Sequence, residues 1–257
     1  MPSTKRFFAR IQYLGKNYAG WQRQPNANSV QEEIEKCLST IFREEIAITG
    51  CGRTDAGVHA KKFYFHFETN FPDPDGHRAR LNGFLPKDIV IEEIIQVTEE
   101  AHARFDAHHR AYEYHINFVK NPFDVDTSWQ VPLRGHDIDV EKLDACAELI
   151  TQYGTFFPFC KSNHDAHTLD CTIYESRWER VGDTGLVYHI AANRFLRGMV
   201  RLIVGCSVRV ATDRLNIEKI REALDQQTRI ANAYSAPAQG LFLTEVKYPD
   251  SVNLPLT

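Results

Sequence analysis

The sequence predicts an α+β fold, and three observations predict it. Stretches with the two-residue period of strands occur beside stretches with the 3.6-residue period of helices. They do not follow the strict strand–helix–strand alternation that builds a parallel sheet. The second half of the chain repeats the style of the first, so two helix-backed sheet halves are expected, residues 1–104 and 105–257, with a seam between them.

The first strand is expected where Phe7, Ala9, Ile11 and Tyr13 alternate with Phe8, Arg10 and Gln12. A helix follows in SVQEEIEKCLSTIF. Ser29 and Glu32 stand at capping-box spacing, and Val30, Ile34, Cys37, Leu38, Ile41 and Phe42 form one apolar stripe. Residues 46–51 and 62–67 read as strands around the loop GRTDAGVHA, and DIVIEEIIQV as another. RAYEYHI puts Tyr112, Tyr114 and Ile116 on one face of a strand. The turn residues of 119–137 mark a loop or insertion. Beyond it the patterns predict a helix near 139–152, strands near 172–180 and 186–192, and a helix from about 194. A short helix at 216–226 and a last strand, GLFLTEV, complete the order.

The 257 residues are 43% hydrophobic and 25% charged, ample for the core of one large domain or two smaller ones. No apolar run of about 18 residues appears, which predicts no membrane span. MPSTKRFFARIQY lacks the apolar centre of a secretory signal, and the six cysteines form no Cys-x-x-Cys pair. Reduced thiols in a cytoplasmic protein are therefore expected. The net charge of −4 argues against a nucleic-acid partner unless basic residues gather locally. No GxGxxG, P-loop or GxSxG motif occurs, so nucleotide-cofactor and serine-hydrolase classes find no support.

Four places hold residues that chemistry uses. In GRTDAGVHA a single carboxylate, Asp55, follows Arg53 by two residues, between glycines that let a ligand approach the backbone. A neighbouring cation favours the charged carboxylate, which suits a nucleophile or general base; a structural turn explains the same residues. In NRFLRGMVRLIVGC a helical wheel gathers Arg194, Arg197 and Arg201 with Gly198 and Gly205, a face for phosphate or carboxylate, or else a solvated basic face. Tyr112 belongs either to the core or to a platform on which a base stacks. Cys160, His164, His167 and Cys171 are four potential zinc ligands, though their spacing matches no standard finger.

Taken in order, these segments resemble the tRNA pseudouridine synthase A family over nearly the whole chain. YLGKNYAGWQRQ is similar to the family's opening motif, SVQEEIEKCL to the helix after it, and GRTDAGVHA to its signature loop almost letter for letter. LNGFLPKDIVI, AHARFDAHHRAYEYHI, NRFLRGMVRLIVG and APAQGLFLTEVKYP continue the likeness. The chain departs from it at Lys62 and Phe63, where a Gly-Gln pair is usual, and at Thr155, where an aspartate is usual.

The resemblance implies the isomerisation of uridine to pseudouridine in the anticodon stem-loop of tRNA, at positions 38 to 40, without cofactor or metal. It implies a pseudouridine synthase fold, two similar, mainly antiparallel halves in a continuous sheet with a central active-site cleft, working as a homodimer. By position Asp55 would be the catalytic residue, attacking covalently or acting on the sugar. Arg53 would help hold the flipped nucleotide, Tyr112 would pack on the target base and Arg201 would pair with Asp55. Chemistry at N1 and C5 of a uracil requires the nucleotide to leave its stack, and phosphates around it require cations, for which Arg53, Lys61, Lys62, Arg194, Arg197 and Arg201 are the candidates. Two alternatives remain: a catalytically silent tRNA-binding relative, and a metal-dependent hydrolase built on Cys160, His164, His167 and Cys171.

Overall fold

The structure, a computed structural model, describes residues 4–131, 138–161, 168–252 and 254. Five α-helices and nine strands lie among them. The nine strands belong to one mixed sheet, in the order β4-β1-β3-β9-β5-β8-β7, with β2 beside β3 and β6 beside β5. The chain forms two compact units, Met1–Arg110 with Phe242–Thr257, and Ala111–Leu241.

In the first unit β1 (Lys5–Tyr13) runs antiparallel to β3 (His59–Thr69) on one side and β4 (Ile89–Gln96) on the other. The alternation of its sequence becomes a buried face of Phe7, Ala9, Ile11 and Tyr13. Phe8 points to the opposite face and is buried too, because Tyr248 packs edge-on against its ring at 5.3 Å. β3 is buried along most of its length, the mark of a strand covered on both sides. β9 (Leu241–Lys247) pairs parallel with its start, His59 opposite Phe242. Helix α1 (Val30–Phe42) begins at Ser29, whose hydroxyl accepts the Glu32 amide. All six residues of its predicted stripe are buried. α1 packs against α2 (Arg78–Phe84), which lies on β4.

The strand expected over 46–51 contracts to β2 (Thr49–Gly50). Side chains of α1 take the groups a sheet partner would have used: Ser39 accepts the Ile46 amide, Glu35 accepts the Ile48 amide and Gln31 donates to the Ile48 carbonyl.

In the second unit β7 (Ile173–Val181) and β8 (Gly185–Ala192) form an antiparallel hairpin. β5 (His109–Asn117), which begins in the first unit, carries the two-residue β6 (Trp129–Gln130) in parallel. That pair falls in the stretch expected as a loop or insertion, of which 132–137 lie outside the described residues. α3 (Val140–Thr151), capped by the Asp139 carboxylate, packs on β7 and on α4 (Met199–Ala211). α5 (Ile217–Gln226) is capped by Asn216. Helix α4 begins five residues later than the pattern predicts, because Gly198 takes a left-handed backbone with φ of 72°. Arg194, Phe195 and Arg197 therefore precede the helix, and the wheel that aligned Arg194 and Arg197 with Arg201 does not apply. Most of α4 is buried around its whole circumference. No helix among the described residues is long and apolar enough to cross a membrane.

Candidate active site

The signature stretch from Gly52 to Ala60 covers the loop between β2 and β3 and the first two residues of β3, and is held by the segment that precedes α1. The Val58 amide donates to the Asp55 carbonyl at 3.2 Å, closing a turn in which Gly57 has φ of 81°. The Trp21 amide donates to the Thr54 carbonyl at 3.3 Å, and the Gly57 amide to the Tyr18 carbonyl at 3.3 Å. The hydroxyls of Tyr13 and Thr54 meet at 2.9 Å, and the Gly15 amide donates to His59 Nδ1 at 2.9 Å. A Cβ on Gly15 would stand 2.0 Å from the Val58 carbonyl oxygen, and one on Gly20 2.4 Å from that of Thr54. Only glycine lets these two backbones approach so closely. Tyr18 in turn donates to Asp88 at 2.5 Å. The opening segment YLGKNYAGWQ is thus the bed of the acidic loop. Its alternation of aromatic residues with Gly15 and Gly20 is the sequence signal for this role, one that the residue patterns alone leave unread.

On this bed Asp55 is half-buried and Arg53 exposed. The carboxylate is on a fixed backbone without being shut away from solvent. Just before the loop, Arg110 Nη2 donates to the carbonyls of both Cys51, at 2.8 Å, and Arg104, at 3.0 Å, while Nη1 donates to that of Ala107 at 2.8 Å. Burial pushes the Cys51 thiol up to about 11, so it stays protonated and a poor nucleophile. On β3 after the loop, Lys61 is exposed, its ammonium 5.2 Å from the centre of the Phe242 ring, and Lys62 is half-buried.

In the second unit Tyr112 lies on β5 two residues before the buried Tyr114. It is half-buried, with Phe195 edge-on to its ring at 5.2 Å. Arg201, in the first turn of α4, is tied to Ala236 twice: its Nε donates to the Ala236 carbonyl at 2.7 Å, and its own carbonyl accepts the Ala236 amide at 2.9 Å. Gly205, one turn on, makes this possible, since a Cβ there would stand 1.9 Å from the Tyr234 carbonyl oxygen. What comes close to this glycine is the protein's own 234–236 segment, where the sequence suggested a ligand. A Cβ on Gly198 would likewise meet the Lys161 side chain at 2.8 Å. Arg194 is half-buried and Arg197 exposed, the Arg197 carbonyl accepting the Lys161 amide at 3.1 Å.

Of the four residues weighed as zinc ligands, His164 and His167 lie outside the described residues. Cys160 and Cys171 are buried; burial raises both thiols, Cys171 to about 11. Thr155, which stands in place of an aspartate, donates to Asp170 at 2.8 Å and so keeps a carboxylate at that turn.

Comparison with known proteins gives this geometry a context. A family model described as tRNA pseudouridine synthase matches residues 9–106 and 154–249. A protein of Porphyromonas gingivalis named tRNA pseudouridine synthase A is 41% identical over 253 residues, 97% of this chain and 99% of the relative. One of the same name from Azobacteroides pseudotrichonymphae is 39% identical, covering 95% and 97%. A third, from Parabacteroides distasonis, is 39% identical, covering 96% and 98%.

Proposed function

The chain belongs to the tRNA pseudouridine synthase family, and from that premise we propose that its substrate uridines lie in the anticodon stem-loop, at positions 38 to 40, and that Asp55 is its catalytic carboxylate. The family's activity is an isomerisation, and its balance is simple. The bond from the ribose to N1 breaks, a bond from the ribose to C5 forms, N1 gains a proton and C5 gives one up. No oxidant, reductant or second substrate enters. A single carboxylate is sufficient in kind: as a nucleophile it holds the ring or the sugar while the base turns, and as a base it accepts the C5 proton.

The observation that carries this reading is the bed under the loop. The four hydrogen bonds and two glycine contacts fix the backbone from Thr54 to His59, while Asp55 itself keeps access to solvent. A turn needed only to connect two strands does not require such restraint; preorganisation of a reacting group does. In this proposal Arg53 holds the flipped nucleotide, Tyr112 packs on the uracil, and Arg201 pairs with Asp55. Arg194, Arg197, Lys61 and Lys62 serve the phosphates. The enzyme works on tRNA in the cytoplasm, as a homodimer.

The test is incubation of unmodified tRNA transcripts with the protein, followed by mapping of pseudouridine at single-nucleotide resolution. Signal at 38, 39 or 40 is expected from the wild type and none from Asp55→Asn, which still binds tRNA. Arg201→Lys keeps the charge but not the fork of donors, and a large loss of rate is expected. Combined with Asp55→Asn it should cost nothing more, because residues acting as one unit are not additive. Turnover by Asp55→Asn near the wild-type rate would remove the catalytic assignment.

A further inference from the structure

We propose that Phe105, with Arg104 beside it, is a stacking platform for an unpaired nucleotide of the tRNA, next to the loop that carries Asp55; the inference rests on the function proposed above. Phe105 is 76% exposed, and mobility does not explain it, because the backbone around it is bound at almost every residue. The His102 amide donates to Asp106 at 2.7 Å, and the Asp106 amide to the His102 carbonyl at 3.1 Å. The Ala103 amide donates to His66 Nδ1 at 3.0 Å, and the Ala103 carbonyl accepts the Tyr248 hydroxyl at 2.7 Å. The amides of Arg104 and Phe105 both donate to His102 Nδ1, at 3.1 and 3.3 Å. A loop restrained in this way presents its apolar ring to solvent in one fixed place.

The ring is also prepared chemically. His102 covers one face, with ring centres 4.2 Å apart and planes inclined by 33°. The Arg104 guanidinium lies 6.0 Å from the ring centre. An aromatic face backed by a second ring and flanked by a cation is what an unstacked base accepts, whatever its identity. Asp106, the acid of the same loop, is engaged by the His102 amide. Location completes the argument. Arg110 Nη2 donates at once to the Arg104 and Cys51 carbonyls, so this loop and the start of the Asp55 loop meet on one nitrogen. In this proposal, RNA whose target nucleotide reaches Asp55 lays a neighbouring nucleotide on Phe105.

Steady-state kinetics on a full-length tRNA transcript test this. Phe105→Ala should raise KM by about 5- to 150-fold, the range for one stacked base, with the loss falling on KM, and Phe105→Trp should restore most of it. A transcript carrying 2-aminopurine singly at the unpaired anticodon-loop positions should show quenching at one of them with the wild type, and none with Phe105→Ala. A folded Phe105→Ala protein with the wild-type KM and quenching overturns the platform. So does a variant whose only change is its oligomeric state by sedimentation, which would make the ring a protein contact. A wild type that forms no pseudouridine in tRNA overturns both this and the function, whereas an active wild type with an indifferent Phe105 overturns the platform alone.

Discussion

Gly205 looks from the sequence like a gap left for a ligand, and its neighbour in the fold is the Tyr234 carbonyl. Gly205→Ala forces either α4 or the 234–236 segment to move. Overpacking of this kind costs about 1–3 kcal/mol, and urea unfolding should show a loss of at least that size. Because the displaced segment holds Arg201 through Ala236, turnover should fall as well; a variant of wild-type stability would mean that the segment yields freely. His66 makes a prediction in pH. It is buried, and burial lowers its pKa from 6.5 to about 4. Between those values the unfolded chain binds a proton that the folded chain does not, so stability rises with pH there and is lost as pH falls from 6.5 toward 4. His66→Gln cannot titrate, and the slope of unfolding free energy against pH should flatten across that window. Parallel slopes for the two proteins would assign the acid sensitivity to other groups.

Among the elements, α1 keeps the serine cap and the apolar stripe its sequence announces, while α4 starts late and loses the arginine face that a wheel draws. The consequence for RNA binding is specific. Arg197 is exposed ahead of α4, on the turn that ends in Gly198, and is not one of a row along a helix. If it meets a phosphate, it does so singly. Arg197→Ala should then weaken tRNA binding and reduce the slope of log affinity against log salt by about 1, with turnover on saturating tRNA retained. An unchanged slope would turn this residue away from the RNA. The element that holds the Asp55 loop is residues 13–21, running from the last residue of β1 through the short 3-10 turn Gly15–Asn17, whose hydrogen bonds run to the loop.

For the whole molecule, the isomerisation balances in atoms and electrons without a second reactant. The family resemblance implies chemistry without a metal, so purified protein should form pseudouridine at an undiminished rate after exhaustive chelation, measured by release of tritium from C5-labelled uridine in tRNA. Activity lost to a chelator and restored by zinc would overturn the metal-free reading and return attention to Cys160 and Cys171. With a net charge of −4, the cations proposed for phosphate must act locally; of these Arg53, Lys61 and Arg197 are exposed.

The sequence by itself determined the elements and the family. Two-residue alternation made β1, a serine three residues before Glu32 and a 3.6-residue stripe made α1, and GRTDAGVHA with its companion motifs carried the relationship. These signals are local: a period, a cap or a motif is complete within some ten residues. Tertiary structure decided what depends on partners distant in the chain. Tyr248 buries Phe8 from 240 positions away. Side chains of α1 reduce β2 to two residues, and the left-handed Gly198, with Lys161 packed over it, sets where α4 begins. Gly15 and Gly20 answer to Val58 and Thr54, and Gly205 to Tyr234. A glycine in a sequence says that something must come close; only the folded chain says what, because close approach is a relation between two backbones and the sequence writes down one at a time.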